Sequence, residues 1–196
     1  VPGDYDGDGK VDPGVYLEQS GLWMVLVSGS GYQQVSGILG GAGYTALQAG
    51  DYDGDGKVDP GVYHRTSGLW ILLLSSKSYT VVSGVFGATG LVPVPTDYDD
   101  DDITDPAVYA TESGYWYILP STTLTSEGYG LWTRQFGGVA MSATLVPAPG
   151  DYDGVGGADL GLYDTTTWSW YIMTLDGVPL AWGYPQGGIE YLPLQP

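Results

Sequence analysis

Apolar and polar positions along the chain fall into a motif that returns four times. In its clearest copy a short apolar run, Gly61-Val62-Tyr63-His64-Arg65, leads into the turn Ser67-Gly68. The run Leu69-Trp70-Ile71-Leu72-Leu73-Leu74 follows, then a third stretch at 79–83 that ends near the glycines of 84–90. Short runs rich in β-branched and aromatic residues, bounded by Gly and Ser, read as strands. The first copy gives the same three strands at 13–18, 22–27 and 32–36. One more strand enters each unit, as in Leu91-Val92-Pro93-Val94-Pro95-Thr96, where the prolines suit a sheet edge or a strand start. The two central strands are apolar on both faces, which predicts cover on both sides. No helix of useful length is predicted.

Between the first and second strands of each unit lies an acidic loop. Asp51-Tyr52-Asp53-Gly54-Asp55-Gly56-Lys57-Val58-Asp59 carries aspartate at its positions 1, 3, 5 and 9. The loop recurs almost unchanged at 4–12, and in weaker form at 97–105 and 151–159. Twelve residues after each first aspartate stands a tyrosine (Tyr16, Tyr63, Tyr109, Tyr163), and seven further a tryptophan (Trp23, Trp70, Trp116, Trp170). These aromatics are expected to pack between sheets. A unit of about 46 residues with four short strands is the signature of a propeller blade.

The expected fold is therefore all-β: a four-unit β-propeller with four antiparallel strands per blade and the acidic loop between the first and second strands. It is read as a single domain over 1–196, with repeats at 1–49, 50–95, 96–149 and 150–196. Residues 192–196 repeat the pattern of Leu145-Val146-Pro147-Ala148-Pro149 and are in phase to complete the first blade. The same strand could instead enter a neighbouring molecule and give a dimer or an open filament.

The loops also carry the chemistry. Four carboxylates in nine residues repel one another and call for a cation. Calcium takes six to eight oxygens and tolerates irregular geometry. Alternation at positions 1, 3 and 5 turns every second side chain inward, and the carbonyl of position 7 then faces the ion. The candidate ligands are Asp4, Asp6, Asp8, Lys10 and Asp12 in the first loop, and Asp51, Asp53, Asp55, Lys57 and Asp59 in the second. The third offers Asp97, Asp99, Asp101, Ile103 and Asp105; there Asp102 replaces glycine, and aspartate tolerates the left-handed region better than most residues. In the fourth, Val155 leaves only Asp151, Asp153 and Asp159 with the carbonyl of Gly157. Three calcium sites and a fourth that is weak or empty are expected. A lone acidic turn would read equally well as a solvated one. Here 17 of the 23 acidic residues fall inside the four loops.

Charge and composition narrow the function. A net charge of −18 argues against nucleic-acid binding by a basic face. No apolar run approaches the length of a membrane span. The chain has no cysteine. It starts in mid-pattern at Val1, which suggests a mature or trimmed product. Calcium at the affinity of extracellular modules points to an extracellular or cell-surface setting.

The stretch Gly-Asp-Tyr-Asp-Gly-Asp-Gly-Lys-Val-Asp-Pro-Gly-Val-Tyr at 50–63, with Gly-Leu-Trp at 68–70, resembles the FG-GAP/VCBS-like repeat family, the blades of integrin alpha-type propellers. The resemblance covers nearly the whole chain. It implies calcium in the turn between the first two strands of a blade, and a role in adhesion or recognition.

Departures from the repeat mark candidate contacts. The third unit is eight residues longer, within 121–135, and carries Tyr129 and Trp132; the fourth adds Trp168, Trp182 and Tyr184. Such rings could stack on a sugar or a protein partner, or simply cover their own blade. Catalysis is not expected: His64 occurs in one unit of four, and no Ser-His arrangement is evident. Two readings remain, a non-catalytic recognition scaffold for glycan or protein and a structural subunit that associates with copies of itself.

Overall fold

The computed structural model describes residues 1–123 and 130–188. The chain forms two compact units: Val1–Leu91 with Asp102–Thr104, and Val92–Asp101 with Asp105–Pro196. The fold is all-β, a β-propeller of four antiparallel blades. Among the described residues no helix is long and apolar enough to cross a membrane.

In the first unit, β1 (Gly14–Leu17), β2 (Leu22–Val27) and β3 (Gln33–Ile38) form one sheet. A second contains β4 (Tyr44–Ala46), β5 (Gly61–His64), β6 (Leu69–Leu74) and β7 (Thr80–Val85). The second unit holds the blade of β8 (Leu91–Pro93), β9 (Ala107–Ala110), β10 (Tyr115–Ile118) and β11 (Trp132–Gln135), whose first residue falls at the unit boundary. Its other blade is β12 (Leu145–Pro147), β13 (Leu160–Asp164), β14 (Ser169–Met173) and β15 (Pro179–Pro185). Strands neighbour one another in chain order within every sheet. The first sheet has three strands among the described residues; the proposed completion by 192–196 lies outside them.

The proline-bearing strands β8 and β12 are sheet edges, where a missing N–H costs no ladder bond. The recurring tyrosine and tryptophan stand directly opposite each other: Tyr16 and Trp23, Tyr63 and Trp70, Tyr109 and Trp116, Tyr163 and Trp170. Their ring centroids lie 4.8–5.5 Å apart, close enough to add to the burial that places them in the core. Each unit has its own core. Tyr5, Trp23, Val25, Leu39 and Val62 centre the first; Tyr98, Tyr109, Trp116, Ile118, Leu160 and Leu162 centre the second.

The outer strands start and end later than the sequence pattern places them. Tyr32 and Tyr79, expected as strand residues, sit in the left-handed region (φ 62° and 59°) and close a turn. Their N–H groups donate to Val27 O and Leu74 O. The strands then run through Gly37 and Gly84, because the ladder to β2 and β6 continues past them. The turns themselves contain short 3₁₀ segments at Ser28–Ser30, Ser75–Lys77 and Ser121–Thr123. Three residues are too few to leave a helical periodicity in the sequence.

Candidate metal centres

Each acidic loop is a tight coil held by its own carboxylates. The position-1 aspartate accepts from the backbone three residues on: Gly7 N to Asp4 Oδ1 at 2.7 Å, Gly54 N to Asp51 Oδ1 at 2.7 Å, Asp100 N to Asp97 Oδ1 at 2.7 Å, Gly154 N to Asp151 Oδ1 at 2.6 Å. The coil needs left-handed residues at positions 4 and 6. Glycine supplies them in three loops, while in the third Asp100 (φ 64°) and Asp102 (φ 65°) do so. Tolerance at Asp102 is as expected from its short polar side chain; the matching burden on Asp100 was not foreseen. Successive loops are also stitched together. Val58 N donates to Asp4 O, Thr104 N to Asp51 O and Ala158 N to Asp97 O, at 2.7–2.8 Å.

This geometry gathers four carboxylate triplets, each with ligand atoms within 4.8 Å of one another: Asp4, Asp6 and Asp8; Asp51, Asp53 and Asp59; Asp97, Asp99 and Asp101; Asp151, Asp153 and Asp159. Each is a group that could hold a metal ion. Asp12, Asp55 and Asp105 stand outside these triplets. The position-9 aspartates are buried and tie the loop to the blade. Asp12, Asp59, Asp105 and Asp159 each accept from the tyrosine N–H at position 2, at 2.8–3.0 Å.

Residues that the sequence reading missed complete the setting. The second oxygen of Asp12 accepts from Ser28 N, that of Asp59 from Ser75 N and that of Asp105 from Ser121 N, at 2.6–2.7 Å. The hydroxyls of the same serines donate to the position-5 aspartates: Ser28 Oγ to Asp8, Ser75 Oγ to Asp55, Ser121 Oγ to Asp101. The next residue of each turn, Gly29, Ser76 or Thr122, donates to the position-3 aspartate. A signal for this was present. Serine stands twenty-four residues after the first aspartate in three units, and Leu175 stands there in the fourth.

Two oxygens test whether a cation fits. Asp53 Oδ1 and Asp99 Oδ1 are buried with no hydrogen-bond partner among the described residues. An unsatisfied buried acceptor costs on the order of 1–3 kcal/mol, more when charged. Both belong to a carboxylate triplet, so a hard cation there would satisfy them, and the donor set of oxygens alone suits one. The electrostatics agree. Burial pushes the Asp105 carboxyl up to about 7, against the N–H groups of Tyr98 and Ser121 and with help from Asp99 and Asp97. Burial likewise raises Asp59 and Asp159. Asp12 differs: burial alone would raise it, but the N–H groups of Ser28 and Tyr5 and the Ser28 hydroxyl outweigh that and lower it. Lys10 bonds Asp8 at 2.7 Å and lowers its carboxyl.

Of the aromatic candidates, Trp132 lies on exposed β11 and Trp168 in the β13–β14 turn at φ 57°. Trp182, on β15, packs edge-on against Tyr171 at 5.5 Å yet stays largely exposed. Tyr129 lies outside the described residues. Asp164 is a buried carboxylate that the sequence reading did not single out. Burial would raise it, but Thr144 Oγ1 and the N–H groups of Thr166 and Thr167 hold it down to about 2. His64 Nδ1 takes Ser67 N and lies 2.8 Å from Ser67 Oγ, so the ring caps its own hairpin. Comparison with protein-family models, curated proteins and solved structures finds no match to this chain.

Proposed function

We propose that the chain is a non-catalytic, calcium-stabilised propeller scaffold that works outside the cell or at its surface in adhesion or recognition. The observation that carries the calcium reading is the pair of orphaned carboxylate oxygens, Asp53 Oδ1 and Asp99 Oδ1, inside oxygen-only triplets. In this reading the carbonyls of Lys10, Lys57 and Ile103 add the position-7 ligand of the three fuller loops. The fourth loop, with Val155 and Leu175 where the others have aspartate and serine, binds most weakly even with Gly157 in place. The FG-GAP/VCBS-like resemblance of the loops points the same way.

The recognition half of the proposal rests on the exposed rings of Trp132 and Trp182, in a protein whose charge of −18 disfavours nucleic acid. A glycan or protein ligand is the partner such rings suit. Calorimetric titration of calcium into metal-stripped protein tests the first half; three tight events are expected. A glycan array read with and without calcium tests the second, and binding that survives Trp132→Ala and Trp182→Ala together would refute the assigned surface.

Self-association is the second reading. It rests on residues 192–196, whose sequence repeats the strand that enters a blade. Sizing of the chain with and without residues 192–196 decides it, since a monomer in both forms removes it.

A further inference from the structure

The two sheets of the first unit leave a cleft of about 540 Å³. Its walls include Trp23, Val25, Val35, Leu39, Leu73 and Tyr79. The second unit carries rings at the corresponding wall. There Phe136 is buried and its ring lies 6.1 Å from that of Trp182. Leu39 occupies the position of Phe136: each donates its N–H to the glycine of its own hairpin turn, Leu39 to Gly21 and Phe136 to Gly114. Trp182 stands opposite Tyr171, beside Trp170; in the second sheet Ser83 stands opposite Ile71, beside Trp70. Leucine and serine thus stand in the first unit where the second has two rings.

The wall is also unfinished in its hydrogen bonding. Trp70 Nε1 donates to Phe86 O at 2.7 Å and Trp116 Nε1 to Phe136 O at 3.1 Å, whereas the buried Trp23 Nε1 has no partner among the described residues. Two charged side chains join the lining, Asp6 and Lys57. Both oxygens of Asp6 already accept N–H groups, from Asp8 and Gly29. Lys57 is different. Its counterpart Lys10 is bonded to Asp8, but Lys57 has no ion pair among the described residues, and its stem lies against Gly7. A half-buried lysine with no ion pair among the described residues, at the edge of an apolar cleft, can face an anion.

We propose that this cleft binds a small ring-bearing organic anion, an aromatic or alicyclic carboxylate or sulfonate. Its rings lie against Trp23, Val25 and Leu39, and its acid group faces Lys57. The volume suits a molecule of two or three rings.

The test uses two dyes of one shape in calcium-containing buffer, the anion 8-anilinonaphthalene-1-sulfonate and neutral N-phenyl-1-naphthylamine. Saturable one-to-one binding is expected, with the anion several-fold tighter. Leu39→Phe should weaken both at least about tenfold by taking up cleft volume. Lys57→Gln should bring the anion down to the neutral dye. Ile38→Trp, a bulkier side chain at an exposed wall residue, provides a second blocking variant should Leu39→Phe fail to fold. Circular dichroism confirms the fold of each. Absence of saturable binding, or binding unchanged in the blocking variants, overturns the site. Equal affinity for the two dyes, or no effect of Lys57→Gln, overturns the anionic ligand.

Discussion

The position-3 aspartates carry the sharpest consequence of the loop geometry. Asp99 holds one oxygen against Thr122 and leaves the other buried and unbonded among the described residues. Asp99→Asn keeps the shape and removes the charge. In metal-free protein this should leave urea stability unchanged or raise it by about 1 kcal/mol. With calcium present the same variant should lose affinity about tenfold or more in a calorimetric titration. Titration of the buried aspartates gives a second expectation. Asp59, Asp105 and Asp159 hold their protons to higher pH in the folded chain than in the unfolded one, where the carboxyl releases near 4. Metal-free protein should therefore lose stability as pH rises from about 4 to about 7. Asp12 and Asp164 act oppositely, contributing stability above about pH 4 that is lost as pH falls further. A urea midpoint measured across pH in calcium-free buffer should peak near pH 4–5. Saturating calcium should reverse the slope above the peak, because protons then compete with the ion.

Hairpin turns hold the blades in register, and their glycines are not equivalent. Gly68 (φ 69°) closes the β5–β6 turn, and a Cβ there would run into the carbonyl of Gly87. Gly31 has the same backbone (φ 72°) but open space around it. Gly68→Ala should cost about 2–3 kcal/mol or more, and Gly31→Ala about 1 kcal/mol, in chemical denaturation. At this scale much was legible in the sequence. The offsets of Tyr63 and Trp70 from Asp51 predicted a shared core, and register places them face to face. The role of Ser75 was not legible in the same way. Its hydroxyl reaches Asp55 across 20 residues, and only the folded hairpin shows that a serine in a linking turn faces the loop. Outer strand ends were misread because the left-handed Tyr32 and Tyr79 carry β-favouring side chains.

For the whole chain, repetition was the legible quantity: four loops and four aromatic pairs made blades and acidic clusters foreseeable. What repetition hid were the breaks in it. Leu39 in place of phenylalanine looks conservative in a list of apolar residues, yet it lines an apolar cleft where the second unit sets a ring against Trp182. Most of the −18 charge sits in the four loops, so stability of the entire molecule should follow the divalent ion. Thermal unfolding by circular dichroism, in stepped free calcium against a chelator with magnesium as control, tests that dependence most directly. The midpoint should rise continuously with calcium above its dissociation constant and respond much less to magnesium. Superimposable curves in calcium and chelator would contradict the account.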